Sequence, residues 1–474
     1  MREALVAANF GVSFEADVVV LMLTVPDLMV SLLMGGAMGA VLIPAFTQSP
    51  AVARILLYQA MLVFALTFGV LAAVLIWQAE ALVSLLVPGF DTAQVLQVAD
   101  ALKFVLWLIP LTVLAGATTA YLHSKNQFII ASLGTLFVNV SIITGLYLVF
   151  VDQVSIQSLA LFVILGGLLR LVSQVVYVRP VIHPIRYLRP LLLHRTMFIK
   201  YCQAMLSGSL LFLFPVVARA FASFEETGSV AVLNYSIRLI ELPMAICISF
   251  LTVVLFPRLS QSFESDPELH RHYIRYGVQA TLALSVVASI MLMLLAGEYA
   301  SLVYGYGEMS KENIGQIKSL ISIGLLVLPL QGLCVYNTAV FNSRTDTRTP
   351  MIINGCGLLI FLGLIQFDIL GVGLEGIMWS LVASFGLILA LQLLRLKIDQ
   401  LKFSEIYLDR TFLTGIGCAI TICIAIGFGI ASLQVHLLLK LFLGFLAAIA
   451  CLLVIALFYT EVRMAIRRTV GTDK

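Results

Sequence analysis

The chain has 474 residues, of which 61% are hydrophobic and 11% charged, with a mean hydropathy of +1.07. A water-soluble globule of that length would be about a quarter charged, so these values exclude a soluble enzyme or binding domain and require a polytopic membrane protein. The formal net charge of +3 is scattered over short loops rather than gathered in a patch, which gives no reason to expect a nucleic-acid partner.

With about 20 apolar residues as the ruler for one crossing, the sequence predicts thirteen helical spans. They run roughly over 18–46, 55–77, 101–122, 127–151, 158–178, 203–224, 230–256, 277–297, 319–341, 351–370, 372–394, 412–432 and 435–459. If the first of these ends in the cytoplasm, the cytoplasmic loops and tail hold 20 of the 28 basic residues, a bias that sets the orientation and puts the C-terminus inside. Residues 1–16, MREALVAANFGVSFEA, would then begin outside, so a shortened first span is expected ahead of the thirteen, making fourteen in the complete architecture. No cleavable signal peptide is visible. The seven cysteines sit in or beside apolar runs without CxxC spacing and read as small core hydrophobes, and no metal site is expected.

Two stretches are written twice. V-L-I-P-A-F-T-Q-S at Val41–Ser49 is echoed by V-L-F-P-R-L-S-Q-S at Val254–Ser262, 213 positions on, each with a proline where a helix is expected to stop. T-A-Y-L-H-S-K at Thr119–Lys125 is answered by T-A-V-F-N-S-R at Thr338–Arg344, offset 219. Matching letters at matching sidedness predict two parallel halves, the arrangement of a transporter that opens a midplane site to each side in turn. The expected domains are an N-terminal lobe over 1–178, a basic cytoplasmic linker over 179–200, a C-terminal lobe over 201–396, and two additional helices with a tail over 397–474.

Charges within spans are costly and mark cavities or ion pairs. Asp17 stands at a span entrance, where a helix-start carboxylate is the plain reading, and Asp27 follows Pro26, lining a cavity or meeting backbone groups freed at the kink. Arg170 lies deep in its span, and Arg219 is expected to snorkel to the outer surface. Arg238 and Glu241, three apart before Pro243, share a helix face: either a local ion pair or a guanidinium fork held for an anion such as a phosphate. His270 and His272 are expected at a solvated helix start rather than at a metal.

Arg2-Glu3-Ala4 through Phe10-Gly11 and Asp17, Val25-Pro26-Asp27-Leu28, Gly36-Ala37, Ile43-Pro44, Tyr235, Arg238-Leu239, Glu241, Pro243, Ser343-Arg344, Asp346 and Thr349-Pro350 together resemble the MurJ/MviN family, which flips lipid II, the lipid-linked peptidoglycan precursor. The resemblance implies an all-α membrane protein of two six-helix lobes in a V plus two C-terminal helices, a bacterial inner-membrane location, and action as a monomer without catalysis. It implies substrate-binding roles for Arg2, Glu3, Asp17, Arg238 and Glu241, with Asp27, Arg170 and Arg219 as candidate cavity-lining residues. The expected partner is a polyprenyl-pyrophosphate-linked sugar within membrane lipid, with no cofactor and with energy from Na+, H+ or the membrane potential. Val30-Ser31 and Gly35 replace an Arg-Arg pair and a Glu usual in the family, and where some members bind sodium the nearest polar residues are Gln366 and Asp368. A flippase for another polyprenyl-linked oligosaccharide, of capsule or O-antigen type, is therefore the alternative. A drug/cation antiporter is disfavoured by Arg238, and a polytopic glycosyltransferase by the lack of an acidic or metal-ligand cluster on a sizeable loop.

Overall fold

A computed structural model gives the fold, describing residues 2–34, 42–43, 46, 50–151, 155–179, 210–344, 346–398 and 410–458. Every regular element among them is helical, and the chain divides into two compact units, Met1–Ala231 and Val232–Lys474. Unit 1 contains α1 (Arg2–Phe10), α2 (Phe14–Met34), α3 (Pro50–Trp77), α4 (Ala79–Leu86), α5 (Thr92–Val105), α6 (Leu108–Ser124), α7 (Phe128–Phe150), α8 (Leu159–Val178) and α9 (Leu210–Ala222). The boundary falls within α10 (Ser229–Pro243). Unit 2 continues with a π-helical turn at Met244–Ser249, then α11 (Phe250–Ser265), α12 (Pro267–Leu294), α13 (Ala296–Tyr304), α14 (Lys311–Gly324), α15 (Val327–Ser343), α16 (Arg348–Gln366), α17 (Gly373–Ile398), α18 (Arg410–Ser432) and α19 (Leu437–Phe458).

Among the described residues ten helical stretches are long and apolar enough to cross a membrane, with α5–α6 forming one of them, or eleven with the pair α14–α15, bent by 47°, counted as one span. They account for eleven of the thirteen predicted spans; of the other two, 18–46 is described mainly as α2 and 203–224 only from residue 210. Large apolar side chains point outward, including Trp77 (81% exposed) and Phe445 (63%), a surface that only lipid would tolerate. The basic stretch 180–200 predicted as linker lies outside the described residues. The compact units divide later, after Ala231, because residues beyond the linker are tied back into unit 1: Gly89 N donates to Ser223 Oγ at 2.9 Å, and the start of α10 is held by Asp17.

The offset of 219 governs far more than one heptapeptide. The helix pair α5–α6 recurs as α14–α15 with all four boundaries displaced by that number. The first helix of each pair is capped alike: Asp91 accepts from Gln94 N in unit 1, and Ser310 accepts from Asn313 N in unit 2. Both second helices end alike, with Ser124 Oγ donating to Tyr121 O and Ser343 Oγ donating to Val340 O. Each unit also carries one buried glutamine joining its sixth-span helix to the helix of the echo. Gln174 of α8 accepts from Thr118 and donates to Thr119 Oγ1 at 3.1 Å, while Gln392 of α17 donates to Thr338 Oγ1 and to Cys334 O, both at 3.3 Å. Such amide–hydroxyl pairs are how neighbouring helices satisfy polar groups in a medium without water.

The 213-offset echo fares differently. Its first copy lies mostly outside the described residues, and in the second Pro257 does not end the helix: α11 runs on to Ser265. A proline lacks one N–H and so weakens a single rung, which the flanking turns bridge. His270 also departs from expectation. Asp266 caps α12 through Glu268 N and Leu269 N, and the turn that follows points His270 inward, only 4% exposed, while His272 faces out. His270 Nε2 accepts from Arg344 Nε at 3.3 Å and its Nδ1 lies 3.1 Å from Leu259 O, so the ring ties α11, α12 and the end of α15 together.

The C-terminal helices α18 and α19 pack on α12 through Val287, Met291, Leu295, Ala419, Cys423 and Cys451, a fully apolar contact in which the cysteines behave as small hydrophobes. At one end of this contact Lys440 Nζ donates to Glu298 at 3.0 Å and to Ala431 O at 3.1 Å. A close approach in unit 2 is at Gly277, where a Cβ would overlap the ring of Tyr336, itself fully buried and donating to Tyr273 O at 2.8 Å. Gly277→Ala should therefore cost about 1–3 kcal/mol, read as a lower melting temperature in detergent, by forcing that ring aside. Gly417→Ala, with nothing near its Cβ, should be neutral within about 0.5 kcal/mol or slightly stabilising.

Candidate functional site

The charged residues of unit 1 meet through a helical hairpin. Helix α1 ends at Gly11, whose φ of +56° reverses the chain at no steric cost, and α2 starts at Phe14 with Ser13 Oγ accepting from Ala16 N. The two helices lie back to back, which brings Arg2 to Asp27, 25 residues on. Arg2 Nη1 donates to Asp27 Oδ1 at 3.2 Å and Nη2 to Asp27 Oδ2 at 2.7 Å, a two-pronged fork. From its other edge, Nε and Nη2 reach Glu3 Oε1 at 3.3 and 2.9 Å. One guanidinium thus sits between two carboxylates, its side chain 16% exposed and that of Asp27 36%.

In unit 2, Arg238 Nη1 donates to Glu241 Oε2 at 3.0 Å along one face of α10, with side-chain exposures of 28% and 39%. The predicted pair is present at its predicted spacing. Just beyond it α10 ends at Pro243 and the backbone widens into the π turn, since a proline cannot donate the next α-helical bond. Two buried tyrosines brace this helix from α13: Tyr299 OH donates to Leu239 O at 2.9 Å and Tyr304 OH to Tyr235 O at 3.3 Å.

Asp17 is placed with neither pair. It is 1% exposed, and its oxygens accept from Gly228 N at 2.8 Å and Ala231 N at 2.7 Å, so it caps the start of α10 across 211 residues of sequence. The sequence reads it correctly as a carboxylate at a positive helix end, but the helix is another one. Gly228, at φ +89°, fits under Val12 to permit the contact. Arg170 is buried in unit 1 against Gly134. Arg219, expected to snorkel, is buried as well, 5% exposed, because α9 turns that face inward.

Asp346 of the family-like motif is structural. Its carboxylate accepts from Thr349 N at 3.0 Å at the start of α16; burial raises its pKa, but the bonds from Thr349 and Arg348 and the charge of Arg395 outweigh this and hold it below the usual carboxylate range. Gln366 and Asp368 are exposed at the turn after α16. Among the described residues no three His, Cys, Asp or Glu side chains are grouped to hold a metal ion. At the end of unit 1 where α2 and α5 begin, Glu15, Gln97, Ser155 and Gln157 line an open pocket of about 270 Å³.

Repeated bundles of spanning helices, carrying ion-paired guanidinium groups on apolar segments, define a polytopic membrane transporter, and solved structures bear out the fold. The lipid II flippase MurJ in an inward closed conformation superposes with a TM-score of 0.81 over 99% of this chain and 96% of that one, at 18% identity. An inward-facing MATE family multidrug resistance transporter of the MOP superfamily gives 0.71 over 84% and 94%, at 15% identity. The family model described as lipid II flippase MurJ matches residues 6–451, and the chain belongs to that family. Relatives include the lipid II flippase of Burkholderia cenocepacia, 24% identical over 76% of this chain and 72% of that one. The probable lipid II flippase of Buchnera aphidicola from Acyrthosiphon pisum is 24% identical over 69% of this chain, which spans 66% of that relative's length. The chain is accordingly a multi-pass inner-membrane protein of the lipid II flippase family.

The contacts of Asp17 predict its behaviour. Asp17→Ala should lower the melting temperature by removing a charged acceptor from two buried N–H groups, a loss of about 1.5–3 kcal/mol. Asp17→Asn, which keeps an acceptor, should lose less, and the refolded or surviving protein should bind an anionic lipid probe as the parent does. Lost binding at unchanged melting temperature would instead mark Asp17 as a substrate contact.

Proposed function

We propose that this chain carries lipid II from the inner to the outer leaflet by alternating access, with the undecaprenyl-linked pyrophosphate met by Arg2 and Arg238. One observation carries this reading. Each unit holds a guanidinium that is paired with a carboxylate and only half-buried, Arg2 in the first and Arg238 in the second, whereas Arg170 and Arg219 are buried. A guanidinium fork fits phosphate oxygens two at a time, and a carboxylate partner keeps it oriented when no substrate is bound. The repeated scaffold supports the alternating movement, because halves built alike can exchange two near-equivalent states. The protein acts as a monomer with its C-terminus in the cytoplasm, and a Na+ or H+ gradient or the membrane potential drives it.

Two experiments test this. Expressed in cells depleted of their own lipid II flippase, the chain should sustain growth; failure at normal membrane levels would move the substrate to another polyprenyl-linked oligosaccharide. In the same assay Arg238→Lys should cut transport roughly tenfold to a hundredfold, the equivalent of one charge-assisted contact of about 1.5–3 kcal/mol, because an ammonium cannot make the two-pronged contact. If Arg238 served only to neutralise Glu241, the double change Arg238→Ala with Glu241→Gln would leave transport intact, since both desolvation costs would vanish together. The expected result is a double variant as inactive as Arg238→Ala alone.

A further inference from the structure

We propose that Asp27 is a built-in competitor for Arg2: it occupies the end-on face of the guanidinium until a diphosphate displaces it, and so sets how much negative charge a substrate must bring. This rests on the reading that Arg2 meets the pyrophosphate. A guanidinium has two faces for bidentate contact, end-on through Nη1 and Nη2 and side-on through Nε and Nη2. Both are filled here, the end-on face by Asp27 Oδ1 and Oδ2 and the side-on face by Glu3 Oε1. An incoming phosphate must therefore exchange with one carboxylate.

Asp27 is the one that exchanges. Glu3 is the sequence neighbour of Arg2 and the less exposed of the two, 16% against 36%. Asp27 stands on a different helix, directly after Pro26, whose missing N–H leaves α2 one backbone bond weaker at that point. Exchange thus parts α1 from α2 at a place where α2 gives most easily, coupling loading of the fork to the hairpin. A tethered carboxylate acts at a high effective concentration, so a singly charged group from solution competes poorly, while a diphosphate brings more charge and more acceptors to the same fork. Asp27 is a positioning residue in this scheme, acting on the substrate through Arg2.

The purified full chain in lipid nanodiscs would be titrated with undecaprenyl diphosphate and undecaprenyl monophosphate. If Asp27 holds the fork about nine-tenths of the time, Asp27→Asn should tighten diphosphate binding about tenfold. It should tighten monophosphate binding by about the same factor, because the fraction of time the fork is occupied is common to every ligand of Arg2. Asp27→Glu should keep the parent affinities, and in an Arg2→Gln background Asp27→Asn should change nothing. Unchanged or weaker binding by Asp27→Asn, or the same gain without Arg2, would overturn the competitor role while leaving the substrate reading standing. Failure of the parent chain to bind either lipid, with Asp27→Asn equally silent, would overturn both.

Discussion

A charge in hydrocarbon must bring its counter-charge with it, and this requirement shapes the part of the molecule that matters for transport. Leaving an ion unpaired at membrane depth costs several kcal/mol, so a chain that keeps an arginine there must also supply a carboxylate within bonding distance. Arg2 has two, Glu3 and Asp27, and Arg238 has Glu241. The α1–α2 hairpin exists in its observed form because Asp27 has to come back to Arg2, and the turn at Gly11 makes that return possible. Held in this way, each guanidinium keeps one orientation, fixed by the oxygens of its carboxylate.

Around the charges lies a scaffold in which polar groups have the opposite task. Gln174 and Gln392, with their threonine partners, and the caps at Asp91 and Ser310 bond helix to helix or close a helix end, each within one unit. Their spacing keeps to the 219 or 218 offset, as expected if one bundle was duplicated and its internal ties retained. The buried His270, joined to Arg344 and Leu259, belongs to this class too, although nothing equivalent stands at Ala51 in the first unit. Such ties fix the helices of each unit against one another.

Much of this was legible in the sequence, for physical reasons that differ from element to element. Long apolar runs have one answer in lipid, so eleven spans appear where they are predicted. The Arg238–Glu241 pair was legible because it is local: three residues on a helix fix the geometry. What could not be read is every contact closed by tertiary structure. Asp17 caps a helix 211 residues away, Asp27 finds Arg2 only after the hairpin forms, and Arg219 faces inward because of how α9 is turned. The proline rule misled at Pro257, since a single missing N–H does not end a helix that its neighbours support. A clue to the Arg2–Asp27 pair was nonetheless present: two opposite charges on successive apolar helices joined by a glycine turn.

The last step follows from where the repeat breaks. Residues 19–25, which stand 213 to 219 positions before Arg238, contain no basic residue, and residues 230–236, the same distance after Asp17, contain no carboxylate. The same windows after Arg2 and Asp27 do hold like charges, Arg219 and Glu241, so the charged letters were kept in part while the ties within each unit were kept on both sides. Arg219 is buried, however, where Arg2 is half-buried and forked on Asp27, and Asp17 serves as the cap of another helix. Like letters at like positions are thus put to unlike uses in the two units: the helical scaffold repeats, and the pairing of charges on it does not.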